Sequence, residues 1–269
     1  ILEETPFFQQ MIEGIEEECH RLGYEMVISH VDQRNPNYQK QVRDLLEEQG
    51  VGIILLGTEM MDGDLSLYRN ASCPVLLLDH WTESMDFNSV LINNADAARA
   101  ITEHLLDNGH REVGYLRGNY RIKAFRSRFI GFQTALKKYK VPYKEEYTVT
   151  VGTYMSTACQ DMLEYLKKKP KLPTAFFADN DIIALGAMKA LQEMGYRIPE
   201  DISIVGFDDL TFSEISSPPL TTLRVEKREM GKMAVRRLVE LIDGIGTSTV
   251  TKIQVCPKII YRNTVKNIK

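Results

Sequence analysis

The chain has 269 residues, 43% hydrophobic and 26% charged, the balance of an ordinary folded protein with enough length for one large core or two modest ones. A net charge of −4 argues against a nucleic-acid-binding surface, which needs a concentrated basic face; the stretch 121–128 is the one local basic candidate. Its four cysteines (Cys19, Cys73, Cys159, Cys256) form no CxxC pair and its five histidines no ligand spacing. They predict reduced thiols, no metal and no cofactor.

Apolar runs alternate with amphipathic stretches along the whole chain, the pattern of βα units with parallel sheets. Thr5 and Pro6 suit a helix cap and first turn; Phe7, Met11, Ile15 and Leu22 follow at helical spacing, and Gly23 stops the helix. A strand is predicted over 24–29, a helix from Asn35-Pro36 to Gly50, a strand over 51–56, a short helix near 65–70 and a strand over 75–79. The pattern then repeats: helix 95–108, strand 112–116, helix 125–139, strand 147–151, helix 156–168, strand 174–178, helix 181–194 and strand 202–205. Pro218-Pro219 marks a crossing segment, followed by helix 227–243 and a strand near 258–261. No apolar run approaches the roughly 20 residues that a membrane-spanning helix needs.

Open α/β sheets bind ligands just beyond the carboxyl ends of their strands. Several residues fall there: Asp79, His80 and Trp81 after strand 75–79; Asn180 and Asp181 after 174–178; Asp208 and Asp209 after 202–205. Arg128 lies early on the helix after 112–116. Carboxylates, an amide and a guanidinium suit a polyhydroxylated ligand, whose hydroxyls accept from Arg and donate to Asp. Trp81, the only tryptophan, offers an apolar face to a sugar ring. Plainer roles compete. Asn180 and Asp181 also suit a helix cap, Asp208-Asp209 a turn, and Trp81 a loop anchor or a subunit contact.

At these positions the sequence resembles the LacI/GalR family of metabolite-responsive repressors. Asn180-Asp181-Ile182-Ile183-Ala184-Leu185-Gly186-Ala187 is similar to an NDxxAxGA motif, and the run from Ile198-Pro199 to Gly206-Phe207-Asp208-Asp209 to IPxDISxxGFDD. Pro218-Pro219-Leu220-Thr221-Thr222 resembles the PPLTT crossing, Gly109-His110-Arg111 the GHRxIG turn, and Arg128-Phe129-Ile130-Gly131-Phe132 the RxxGF helix. Thr5-Pro6-Phe7-Phe8 resembles NPFF, with Thr in place of Asn.

That resemblance implies an α/β fold of two flavodoxin-like lobes with parallel sheets, joined by three crossings, as in type I periplasmic binding proteins. The lobes would be 1–92 plus 226–253 and 93–225 plus 254–269. An effector, a sugar or similar small polar metabolite, would sit between them. The family's site residues fall on Asp79, His80, Arg128, Asn180 and Asp208, with Phe7 and Tyr154 as lining aromatics. The resemblance also implies a homodimer that meets operator DNA only through an N-terminal head absent from these residues. Two departures stand out: Arg224-Val225-Glu226 replaces a polar pair at the third crossing, and Arg117-Gly118-Asn119 replaces a Gly-Pro turn.

Two other classes of function compete. A periplasmic sugar-binding protein of a transporter shares the two-lobe design, but the PPLTT and IPxDIS motifs favour the regulator. So does Ile1-Leu2-Glu3-Glu4, which lacks the basic and apolar regions of a secretory signal and points to the cytoplasm. An enzyme is not expected: there is no GxGxxG after the early strands, no GxxxxGK[ST] and no GxSxG. Among effectors a sugar is expected first, with nucleosides, nucleobases and sugar phosphates behind it.

Overall fold

Phe7, Phe8, Met11 and Ile15 recur at helical spacing. In the computed structural model, which describes residues 7–33, 35–47, 50–58, 60, 62–120, 122–245 and 249–269, they form the buried face of helix α1 (Phe7–Leu22). Gly23 ends it at φ +80°, where a side chain would be strained. The expected cap residues Thr5 and Pro6 lie outside the described residues.

The elements that follow are α2 (Tyr38–Glu47), β1 (Ile53–Leu56), a 3-10 turn (Asp62–Tyr68), β2 (Val75–Leu78), β3 (Asn88–Ile92) and α3 (Asn94–Asp107). Next come β4 (Val113–Gly118), α4 (Lys123–Lys138), β5 (Thr148–Val151), α5 (Met155–Lys167), β6 (Ala175–Ala178), α6 (Asp181–Glu193) and β7 (Ser203–Val205). The chain closes with α7 (Thr211–Ile215), β8 (Thr222–Arg224), α8 (Lys227–Ile242), β9 (Lys252–Val255) and β10 (Lys258–Ile260). They group into two compact units, 7–92 with 226–255 and 93–225 with 256–269, and the chain passes between units after residues 92, 225 and 255.

The first unit carries a parallel sheet in the order β1-β2-β3-β9. Helices α1 and α8 meet where Gly14 faces the Arg228 carbonyl and Gly231 the Met11 carbonyl; a Cβ at either position would overlap that oxygen. The second unit carries a parallel sheet in the order β5-β4-β6-β7, the flavodoxin-like arrangement in which strand order reverses between β4 and β6. Its core is built on Leu116, Met162, Phe176, Ile183 and Ile204, all fully or almost fully buried. Gly131 lets α4 settle on α3, with its Cα against the Ala95 carbonyl. The RxxGF spacing is thus partly a packing requirement. Strands β8 and β10 form a separate antiparallel pair.

The structure corrects one predicted strand. Residues 24–30 have no ladder partner among the described residues, and Val27 and Ile28 stand 83% and 64% exposed. Extended sequence propensity becomes a strand only when a neighbouring strand takes up its N–H and C=O groups. Three strands were not anticipated, β3, β8 and β9; β3 and β9 pair with each other in register from Ser89 with Lys252 to Ile92 with Val255.

Candidate functional site

In the second unit the strand-order reversal falls between β4 and β6. Their carboxyl ends, Gly118 and Ala178, are followed by buried polar groups. Asp179 accepts from the Tyr115 hydroxyl on one carboxylate oxygen and from the Gly118 amide at 2.8 Å on the other. Burial outweighs these bonds and pushes its carboxyl up to about 7. Desolvation and the facing Asp179 raise the Tyr115 hydroxyl well above its ordinary range. Gly118, part of the departure from a Gly-Pro turn, therefore has its amide engaged. The preceding Arg117 lies 4.7 Å over the Phe129 ring.

Arg128 reaches this point from the first turns of α4 and is almost fully buried. Its Nε donates to Asn94 Oδ1 at 2.9 Å, one terminal nitrogen to the Asp179 carbonyl at 2.6 Å, and the other to Asp208 Oδ1 at 3.2 Å. The guanidinium lies 3.6 Å over the Phe207 ring, a cation–π contact that fixes its plane. Charge-assisted N–H···O bonds usually measure about 2.7–2.9 Å. The Arg128–Asp208 contact is longer, while the bond to the backbone of residue 179 is tight. The guanidinium is thus anchored on the backbone of residue 179 and also meets the Asp208 carboxylate.

Asp208 follows β7 in the Gly206-Phe207-Asp208-Asp209 turn. It adopts φ +113°, a conformation residues with a Cβ rarely take, and Asp209 adopts φ +49°. The turn is held from one side by Asp181, the first residue of α6. Its carboxylate accepts from the Leu210 amide at 2.9 Å, the Ser213 hydroxyl at 2.6 Å and the Thr222 hydroxyl at 2.5 Å, while its own amide donates to the Phe207 carbonyl at 2.9 Å. Burial first, and then the charge of Asp208, push the Asp181 carboxyl up to about 7. Asn180 caps α6, its Oδ1 accepting from the Ile183 amide at 3.0 Å. The Asn-Asp pair of the motif therefore divides its work: capping by the first residue, bracing of the turn by the second.

Tyr154, at the start of α5, is 37% exposed and lines a depression of about 400 Å³ with Asn119, Thr153, Thr157, Gln160 and Asp161. In the first unit, Asp79 follows β2 at φ +54°, with its carboxylate accepting from the Thr58 hydroxyl at 2.7 Å. His80 Nδ1 meets the Gly57 carbonyl at 2.7 Å. Phe7 is buried edge-on to Phe8, with Lys227 Nζ 5.5 Å from its ring. Trp81 is 45% exposed, with Lys252 Nζ 5.8 Å from its ring.

Within the second unit the structure thus joins Arg128 and Asp208 directly, and links Asn180 to them through the neighbouring Asp179 carbonyl. Tyr154 is not joined to that cluster by any bond described. Within the first unit Asp79 and His80 share the end of β2. Sequence reasoning missed Asn94, Asp179, Phe207 and Thr58. The available signal was adjacency, since Asp179 precedes the Asn-Asp pair and Phe207 precedes the Asp-Asp pair. His110, in the GHRxIG-like turn, serves the fold: its Nδ1 meets the Thr174 hydroxyl at 2.8 Å and its Nε2 the Lys266 carbonyl at 3.1 Å.

Comparison with known proteins agrees with this geometry. Residues 102–265 match the family model for the periplasmic binding protein-like domain. The chain is 32% identical over 267 residues to the HTH-type transcriptional repressor PurR of Mannheimia succiniciproducens, covering 98% of this chain and 79% of the relative. It is 31% identical to the repressor of the same name from Vibrio parahaemolyticus, covering 97% and 78%. Among solved structures, a putative transcriptional regulator LacI from Bacillus cereus subsp. cytotoxis superposes with a TM-score of 0.88 at 29% identity over 99% of this chain and 94% of the other. These relatives are transcriptional regulators, which favours that reading over a transporter's binding protein. The chain belongs to the LacI/GalR family of transcriptional regulators, as its periplasmic-binding-protein-like, effector-binding domain.

Proposed function

We propose that this domain senses a sugar or a similarly polar small metabolite, with Arg128 and Asp208 as the pair that recognises it. The carrying observation is that pair: a guanidinium and a carboxylate, both buried, meet at 3.2 Å beyond the strand ends, and the carboxylate sits on a strained backbone. Taking two charges out of water costs several kcal/mol each, and only close geometry offsets it. A guanidinium and a carboxylate held side by side offer a ligand donors and an acceptor at one place. Vicinal hydroxyls supply the fit, accepting from Arg128 and donating to Asp208.

Asn180 and Tyr154 in the second unit, and Asp79, His80, Phe7 and Trp81 in the first, are the further effector contacts. Support from relatives is of the same kind: regulators of this fold have been solved with ribose, from Enterococcus faecium (TM-score 0.85, 21% identity), and as a CelR–cellobiose complex (TM-score 0.87, 24% identity). The domain carries out no chemical step. It acts in the cytoplasm as a homodimer that changes the operator affinity of a DNA-binding head outside these residues. The effector does so by binding one conformation better than another, since equal binding shifts nothing.

Thermal melts against sugars, sugar phosphates, nucleosides and nucleobases test this. A ligand at a hundred times its Kd adds about 2.7 kcal/mol. That raises the midpoint of a chain this size by several degrees, at roughly 2–4 °C per kcal/mol. A rise with a sugar that Asp208→Asn cuts by about half or more is the expected result. No rise with any compound of the panel, or a rise that the substitution leaves undiminished, overturns the assignment.

A further inference from the structure

Asp209 carries a buried carboxylate whose ion-pair partners are two other arginines. Its Oδ2 accepts from Arg224 Nε at 2.6 Å, and its Oδ1 pairs with an Arg262 terminal nitrogen at 2.7 Å. Arg262 also donates to the Leu220 carbonyl at 2.9 Å, which fixes it to the segment leading into β8. The Asp208 amide donates to the Leu223 carbonyl at 2.9 Å, and Asp208 and Arg224 form an isolated parallel bridge. The turn is thus tied to α6 and α7 by the Asp181 carboxylate on one side, and to β8 and the segment after β10 by the Asp209 carboxylate on the other.

A residue with a Cβ keeps a φ of +113° only where its surroundings over-determine it. The Asp181 bonds fix residues 207 and 210, on either side of the Asp pair. The pair itself is held, besides the Arg128 contact, by the Asp208 amide bond to β8 and by the Asp209 carboxylate, which joins β8 and the segment after β10.

We propose that Asp209 is a positioning residue of the effector site: its ion pairs with Arg224 and Arg262 hold the Asp208 backbone in the pose that turns the Asp208 carboxylate to Arg128 and to the effector. This inference rests on the effector reading of Asp208 given above. It also gives a task to Arg224, the charged residue that replaces a polar one at the third crossing. Arg224 ends β8, one residue before Val225, the last residue of the second unit before the chain passes to the first. The same ion pair therefore fastens the residue next to Asp208 to the strand that leads into the crossing.

The test compares the wild-type chain with Asp209→Asn, Arg224→Gln and the control Ser203→Ala. Ser203 accepts from the Lys266 amide at 3.0 Å elsewhere in the same unit, so its loss weakens the fold without touching the turn. Amide hydrogen exchange is read at Asp208 against the other amides of the unit, and each variant is titrated with ribose and with cellobiose. The expected result is at least tenfold faster exchange at Asp208 in Asp209→Asn and in Arg224→Gln, with no selective change in Ser203→Ala. Affinity for whichever sugar the wild type binds falls about tenfold in the first two variants alone. Wild-type protection at Asp208 in Asp209→Asn or Arg224→Gln overturns the proposal whatever the melting temperatures. If Asp209→Asn does not fold, Arg224→Gln, at a half-exposed guanidinium, decides the question. Failure of the wild type to bind either sugar counts against those effectors, and the exchange of Asp208 still decides the positioning role.

Discussion

The backbone at Gly206 runs so close to the Asp181 carboxylate that a Cβ at position 206 would overlap Asp181 Oδ1. The glycine of the GFDD-like motif is therefore fixed by an aspartate from the NDxxAxGA-like motif 25 positions earlier, and the two motifs are halves of one brace. Gly206→Ala should destabilise the chain by about 1–3 kcal/mol, the usual cost of overpacking a tight interior. It should also weaken the effector response more than an equally destabilising change elsewhere in the unit. Denaturant melts with and without ligand measure both effects.

The role of Asn180 can be divided by substitution. Removing the cap with Asn180→Ala should cost about 1 kcal/mol. Asn180→Ser keeps an oxygen that can accept from the Ile183 amide, so stability should stay within roughly 0.5 kcal/mol of wild type. If the amide also contacts the effector, the serine variant loses ligand-induced stabilisation while remaining folded. A serine variant with a full ligand response would assign Asn180 to capping alone.

The buried acids set a pH dependence of unusual sign. Asp179 and Asp181 have carboxyls raised from an ordinary 3.8 to about 7, so the folded chain holds protons that the unfolded chain releases. Their contribution is fully present below about pH 4 and is lost as pH climbs through about 7, by at most roughly 4 kcal/mol for each group. Glu18, held down to about 2 by Arg21 and Arg236, works the other way: its contribution is present above about 4.5 and lost as pH falls toward 2. Carbon NMR titration of the Asp179 and Asp181 carboxyls should give midpoints near neutrality. Chemical denaturation should show these two groups lowering stability between pH 5 and 7. Midpoints near 4 would remove this account of the brace.

Helix packing gives a prediction independent of the effector. Gly131→Ala places a methyl against the Ala95 carbonyl, where α4 meets α3. Backbone on both helices must shift, so a loss of about 1–3 kcal/mol is expected, read as a drop of several degrees in Tm. A neutral result would mean that the α3–α4 contact yields easily.

Most helices and buried strands were legible because their apolar residues recur at spacings that local sequence displays, as in Phe7, Met11 and Ile15. What was not legible depended on distant partners. Strand β3 opens with Asn88 and Ser89, which look like loop residues. Asn88 is buried because its Oδ1 accepts from Arg237, at 3.1 and 3.2 Å, and from the Thr251 amide at 3.0 Å. The segment 24–29 looked like a strand from its own residues, but nothing in those residues could show whether a neighbour was there to pair with it. In the site, strand-end position brought Arg128, Asn180 and Asp208 to notice. Only the structure shows that Asp181 and Asp209, equally well placed, have their carboxylates turned to the fold.

The most direct measurement is calorimetric titration of wild type and Asp208→Asn with the sugar found by thermal melts. Asparagine keeps the size of the side chain, and the substitution tests the charge. A hydrogen bond to a charged group is worth about 1.5–3 kcal/mol, so affinity should fall roughly ten- to a hundredfold while Asp208→Asn stays folded. Binding within twofold of wild type would contradict the assignment of Arg128 and Asp208 as the recognising pair.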